Sequence, residues 1–287
     1  MNRKLSQVHK ARPSRDGDGV RINRIAGSQM QQVLDPFLMI DEINSDSAAD
    51  YIGGFPEHPH RGFETITYMK AGRMRHRDHM GNEGVIGPGD VQWMTAGRGV
   101  LHSEMPEQEQ GLMHGFQLWL NLPAADKLKP AAYRDIRSAE IPRYRGEPGN
   151  TVRLIAGEID VEGRGLVGCL PAMATRPLLA DVAAAPGAEL ILDVGDYEQA
   201  FVFVYAGNSV ELTTGQLGVY GPGATLALRA GESGFEALVL AGAPLNEPIA
   251  QYGPFVMNRP EELDQALRDY RQGQLTSWQQ GTPRAHG

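Results

Sequence analysis

Two short stretches carry side chains spaced for metal chemistry. His58 and His60 flank one proline in FPEHPHRGFET, and His102 and Glu104 flank one serine in GRGVLHSEMP. Side chains at i and i+2 of a strand point to the same face. Two such pairs, on strands lining one interior, would present three imidazoles and a carboxylate to a single point. That donor set suits Fe(II), Mn(II), Ni(II), Cu(II) or Zn(II), and it leaves positions open for a substrate or O₂. Glu64 competes for the carboxylate position, four residues past His60. Gly62 can break the strand between them, whereas Glu104 shares a face with His102 without needing a turn. Glu104 is therefore preferred. Glu64 is kept as a reserve ligand or a residue backing the ligands, against the plainer reading of an outward strand carboxylate.

The other candidates read more simply. His76 and His79 lie in RMRHRDHMGNEG, a polar hairpin, and are expected to be exposed. His114 opens a strand with Phe116 and Leu118 on its own parity and reads as a buried, hydrogen-bonded histidine. Arg61 could orient Glu64 or meet an anionic substrate, or it could be a solvated surface arginine. Trp93 and Trp119 read as core or interface aromatics. The single cysteine, Cys169, sits in apolar GLVGCLPAMA with no base or cation beside it, so it reads as a small core residue.

The elements that must hold these residues are mostly strands. GVRINRIAG, FETITYMKAG and GLMHGFQLWLNLP are strand-like runs separated by the turn clusters MGNEG, GPGD and TAGRG. LPAADKLKPAAYRDIRSAEIPRY has three prolines, many charges and no sustained period, and reads as a connector. Strand patterns then resume in TVRLIAGEI, AELILDV, QAFVFVYAG and SVELTTGQLGVYGPGATLAL. Strand, Gly-Pro-Gly, strand occurs once in each half, at VIGPGDVQWMT and at GVYGPGATLAL. Two diverged copies of one β-unit account for this. The copies differ in one respect: six of the eight histidines fall between 58 and 114, and only His9 and His286 lie elsewhere. An imidazole site can belong only to the first copy. One helix is marked in MNRPEELDQALRDYRQGQL, over about 260–272. Asn258 is its candidate cap, Pro260 lies in its first turn, and Leu263, Ala266, Leu267 and Tyr270 form its apolar stripe. The tail after Trp278 reads as loose.

With 287 residues the chain is comfortable for two domains, here 1–135 and 136–287. A formal charge of -8 argues against direct nucleic-acid binding, which needs a basic field. The start, MNRKLSQVHKARPSRDGDG, has no apolar stretch behind its charges and reads as a frayed terminus rather than a secretory signal. No apolar run is long enough to span a membrane. One cysteine allows no internal disulfide and fits a reducing, cytoplasmic setting.

The motifs GGFPEHPHRGFETITY, PGDVQWMTAGRGVLHSEMP, GFQLWLNLP and PLNEPIAQYGPFVMN together resemble the pirin family of the cupin superfamily. The likeness runs in order from LDPFLMIDE at residue 34 to about residue 273. It implies an all-β bicupin of two stacked jelly-roll barrels with a short C-terminal helix and the metal in the first barrel only. The family's ligand positions correspond here to His58, His60, His102 and Glu104, with Fe(II) the usual metal. Bacterial pirins resemble quercetinases, which open the central ring of a flavonol with O₂ and release carbon monoxide. Eukaryotic pirins are similar to regulators that bind protein partners, which implies the alternative of a non-catalytic, redox-sensing role. A barrel merely stabilised by Zn is a third alternative. A monomer is expected, because two barrels in one chain can cover each other's open faces.

Overall fold

The computed structural model describes residues 1–146, 149–195 and 197–277. His286 and the tail expected to be loose lie outside them. The first half carries β1 (Leu5–Lys10), β2 (Arg12–Asp16), β3 (Val20–Ala26), a one-turn helix α1 (Gln31–Leu34), β4 (Phe37–Ser45), β5 (Phe55–His60), β6 (Phe63–Ala71), β7 (Met74–Asp78), β8 (Glu83–Ile86), β9 (Val91–Thr95), β10 (Val100–Pro106), β11 (Met113–Asn121) and β12 (Ala132–Ile136). The second carries β13 (Arg143–Arg145), β14 (Thr151–Ala156), β15 (Glu158–Val161), β16 (Arg164–Val167), β17 (Leu178–Ala184), β18 (Glu189–Asp193), β19 (Ala200–Ser209), β20 (Gln216–Tyr220), β21 (Thr225–Ala241), the hairpin β22 (Ala250–Tyr252) and β23 (Phe255–Met257), and helix α2 (Pro260–Arg271). The fold class is all-β with one sustained helix at its end. Each Gly-Pro-Gly joins two strands, β8 to β9 and β20 to β21. No helix among the described residues is long and apolar enough to cross a membrane.

Two antiparallel sheets form the first half. One has the order β12-β9-β6-β11-β4-β3-β2 and the other β5-β10-β7-β8. They share a core in which Ile22, Ile43, Met69 and Met113 of the larger sheet meet Met74 and Ile86 of the smaller. The second half is built on a ten-stranded sheet with the main path β1-β20-β19-β21-β17-β14-β13. The halves meet sheet to sheet. Ile66 and Tyr68 of β6, with Phe116, Leu118 and Leu120 of β11, join Phe201, Phe203, Leu217, Leu238 and Leu240 in one buried cluster. Each such side chain contributes on the order of 2 kcal/mol against being left in water.

Both chain ends cross to the opposite half. β1 pairs with β20, from Leu5↔Tyr220 to Lys10↔Gln216. Buried Arg3 donates to the carbonyls of Gly221, at 2.8 Å, and Tyr197, at 2.5 Å. β2 pairs with β3. The N-terminal stretch is therefore ordered, contrary to the frayed terminus expected. Backbone pairing orders it while most of its side chains stay exposed, so no apolar period marks it. The connector hides strands for the same reason: β12 extends the first sheet through β9, and β13 pairs with β14.

At the other end, β23 and α2 return to the loop after β5. Arg61 and Phe255 form a bridge. Lys127, 1% exposed, donates to the Gly62 carbonyl at 2.8 Å, to Asn121 Oδ1 at 2.6 Å and to the Val256 carbonyl at 3.0 Å. Gly62 has φ +89, and a Cβ there would lie 1.9 Å from the Val256 carbonyl oxygen. Only glycine admits both that backbone and that approach. Helix α2 starts at Pro260 as expected, but its cap is not Asn258. Arg259 is its cap, and Glu262 Oε2 accepts from the backbone N–H groups of Asn258 and Arg259. The Asn258 side chain instead donates to Glu247 and the Pro248 carbonyl.

Gly62→Ala is expected to lower stability by about 3 kcal/mol or more, through backbone strain plus displacement of β23. Gly81 has φ +84 with nothing within 4 Å of its missing Cβ. Gly81→Ala should therefore cost only about 1 kcal/mol. Urea unfolding of the two variants checks this, and equal losses would show that the β23 contact contributes nothing.

Candidate metal centre

β5 contains Pro56 and Pro59, which have no N–H to donate. It can only be an edge strand, and it pairs with β10 alone. The register sets His58 opposite His102 and His60 opposite Val100. Alternation turns His58, His60, His102 and Glu104 inward. The ring centroids of the three histidines lie 4.6 Å (His58–His60), 4.4 Å (His58–His102) and 4.8 Å (His60–His102) apart. One nitrogen from each falls within 4.8 Å of the others.

The rings are placed to offer lone pairs to one point. His58 Nδ1 donates to the Pro56 carbonyl at 2.8 Å, which leaves Nε2 bare and 2.9 Å from His60 Nε2. A ligating histidine is usually fixed in this way, with its other nitrogen on a backbone carbonyl. Burial first, and then the neighbouring imidazoles, hold His60 and His102 well below the usual histidine range. Buried His102 Nε2 has no hydrogen-bond partner among the described residues. Packing bare lone pairs together away from water is costly unless a cation shares them. The three residues therefore fit a divalent transition metal.

Glu104 lies on the same face, two residues beyond His102, and is 3% exposed. Thr67 Oγ1 donates to its Oε1 at 3.0 Å and Gln117 Nε2 to its Oε2 at 2.6 Å. Its carboxylate is thus held from β6 and β11, and among the described residues the groups that gather within 4.8 Å are the three histidines without it. Phe63 and Trp119, stacked at 4.3 Å, wall the site next to His60. A cavity of about 10 Å³ adjoins Glu104, lined by Phe55, Met69, Met74 and Met113 among others. That is room for one water.

Several residues lie elsewhere than expected. Glu64 is neither at the site nor outward. It shares the parity of Ile66 and Tyr68, on the opposite face of β6 from Thr67, and bonds Lys129 at 2.8 Å. Burial pushes its carboxyl up, and Lys129 pulls it back. Arg61 is not a surface residue. It is 5% exposed, donates through Nε to the Arg98 carbonyl and reaches Asp269 of α2 at 2.8 Å. His76 is not exposed either. Its hairpin forms as β7 and β8, but β7 lies against β10, and its side chain is fully buried against His102. His79 is exposed as expected. His114 is largely buried, with Nε2 3.1 Å from Glu42. Trp93 packs at the interface between the halves. Cys169 is half-buried, its thiol pushed up by burial, with Sγ 3.4 Å from the Ile155 carbonyl. Sequence reading missed Thr67 and Gln117. A glutamine inside the apolar run GFQLWLN was the available signal, since a polar residue on a buried strand face needs a partner.

Comparison with known proteins agrees with this layout. Residues 19–120 match the pirin family, and residues 179–276 match the pirin C-terminal cupin domain. The chain belongs to the pirin family. A Pseudomonas aeruginosa protein that bears quercetin 2,3-dioxygenase as a provisional name is 47% identical over 280 residues, 95% of this chain and 98% of that one. Human pirin is 36% identical over 282 residues, 94% of this chain and 93% of its own. A crystal structure of a quercetin 2,3-dioxygenase from Acinetobacter baumannii superposes with a TM-score of 0.87 at 33% identity, covering 96% of this chain and 99% of that one. Both halves of this pirin are thus cupin-type domains.

Stripped of metal and titrated with Co(II), this pirin is expected to bind one ion per chain and develop visible ligand-field bands. His60→Ala should weaken binding at least 100-fold. Equal binding by the variant would place the ion elsewhere.

Proposed function

We propose that this pirin is a metal-dependent dioxygenase of the quercetinase type, cleaving the central ring of a flavonol such as quercetin with O₂ and releasing carbon monoxide. The observation that supports it is a cluster of three imidazoles with a buried carboxylate two residues along the same strand from His102, held by two donors of its own. His58, His60, His102 and Glu104 would hold one divalent ion, Fe(II) first, with Mn, Ni, Cu or Zn also suited to the donors. When bound, such an ion supplies Lewis acidity toward a substrate oxygen and a redox partner for O₂.

Glu104 is the base in this reading. It takes the proton of the flavonol 3-hydroxyl on one carboxylate oxygen, leaving the ring system electron-rich. Thr67 and Gln117 hold the carboxylate in place while it does so. Phe63, Trp119 and the methionines exclude water from the reacting ring. The cavity of about 10 Å³ beside Glu104 is too small for a flavonol. The substrate must therefore come in past half-buried His58 on the β5 edge, and flexible methionines can give way to it. We place the protein in the cytoplasm, on its single cysteine, and treat it as a monomer that contacts no nucleic acid directly.

That small cavity also favours a second reading, a metal-dependent protein-binding regulator without turnover. One experiment separates the two. Metal-free protein is loaded without oxygen with each of the five ions, then given quercetin and O₂, and flavonol absorbance and carbon monoxide are followed. The dioxygenase reading expects metal-dependent loss of flavonol with equimolar carbon monoxide, and a drop of at least 100-fold in Glu104→Gln. Bound metal with no turnover by any ion would leave the regulator.

A further inference from the structure

We propose that His76 is a positioning residue for the metal centre: it holds the His102 imidazole and fixes which of its nitrogens faces the cation. The inference rests on the metal-centre reading above and goes beyond the four residues of that reading. In the β7–β10 register His76 lies opposite Glu104, and Asp78 opposite His102. His76 is 0% exposed, and its Nδ1 lies 3.3 Å from His102 Nδ1. Two facing ring nitrogens bond only if one carries the proton and the other does not.

The surroundings decide which. If His102 offers the Nε2 lone pair to a cation, its own proton is on Nδ1, and Nδ1–H donates to His76 Nδ1. The His76 proton is then on Nε2, which makes no hydrogen bond among the described residues but lies 3.6 Å from Asp78 Oδ2. In this order the side of His76 that faces a carboxylate carries the proton. In the reverse order the protonated Nε2 of His102 would point at the other two imidazoles, and the bare Nε2 of His76 would face a carboxylate. Asp78 is itself fixed, with Oδ1 accepting from the N–H groups of Met80 and Asn82 and Oδ2 from Asn82 Nδ2. Tyr133 stacks on the His76 ring at 4.4 Å and 19°, and its hydroxyl donates to Asp135 at 2.6 Å. The ring can neither slide nor flip freely. An anchored imidazole that accepts the Nδ1 proton of a ligand raises that ligand's basicity toward metal.

The test compares wild type, His76→Phe and His76→Gln. Phenylalanine keeps the stack on Tyr133 but accepts nothing, whereas the glutamine amide oxygen can accept the proton. Co(II) affinity is measured by competition with a chromophoric chelator, together with the ligand-field spectrum. His76→Phe should bind Co(II) 10- to 100-fold more weakly with shifted bands, and His76→Gln should recover most of the affinity. If wild type binds and His76→Phe matches it within twofold with the same spectrum, the inference fails while the metal centre stands. If wild type binds no Co(II), both fail. A measurement without any variant covers the case in which His76→Phe does not fold. Long-range proton–nitrogen spectra of the Zn-loaded wild type should show His102 protonated on Nδ1 and His76 on Nε2, and the opposite pair would overturn the proposal.

Discussion

The pairing of β5 with β10 is the constraint on which the site depends. That register alone puts His58 across from His102 and keeps His60 on the same face. A slip of β5 by one residue would turn His58 and His60 away from His102. β5 is weakly equipped to hold register, being an edge strand whose two prolines cannot donate. The C-terminal arm makes up for this. Lys127 ties the Gly62 carbonyl to β23, Arg61 bridges Phe255, and its guanidinium reaches Asp269 of α2. Burial pulls the Lys127 ammonium down to about 8, yet three acceptors surround it, so its desolvation is offset by hydrogen bonds. A buried lysine in this position is costly to replace by anything shorter, because three carbonyl oxygens would lose their donor together.

The second domain has no histidine cluster, but it supports the first from behind. Tyr68 of β6 donates to Asp181 at 2.5 Å, and Lys70 donates to Asp181, Tyr205 and Glu236. This polar knot lies at the interface between the halves. Burial and the neighbouring carboxylates push the phenols of Tyr68 and Tyr205 far above their ordinary range, so both remain neutral donors. Tyr68 is next in sequence to Thr67, which holds Glu104. The knot therefore fixes the backbone that aims the Glu104 support.

Much of this was legible in the sequence because strand chemistry has period two. HxH and HxE name the inward face of β5 and β10 without any structure. The same period explains why Glu64 is excluded, since its parity is that of Ile66 and Tyr68. What was not legible depends on which strands become neighbours. The hairpin of His76 was visible, but nothing local says that β10 covers it, and so a buried histidine read as exposed. Arg61 stayed open between a site role and the surface because its partner, Asp269, is 208 residues away. The strands at residues 5–16 and 132–145 carry charge on exposed faces and are held by backbone pairing, which leaves no apolar period to detect.

Parity also limits how the site can move. On β6 and β11, Thr67, Met69, Gln117 and Trp119 face the site, while Ile66, Tyr68, Phe116 and Leu118 face the second domain. Neither strand can shift toward or away from Glu104 without disturbing the interface packed on its other side, and close-packed interfaces resist gradual change. Any opening wide enough for a large substrate must come from the smaller sheet, where β5 has a free edge and His58 is half-buried. The same four-stranded sheet carries all four ligand candidates, His58, His60, His102 and Glu104, and His76 as well. The rigid sheet thus supplies the groups that hold the carboxylate, and the sheet with the free edge supplies the groups that would hold the cation. Motion that admits substrate would then alter the histidine geometry before it altered the seat of Glu104.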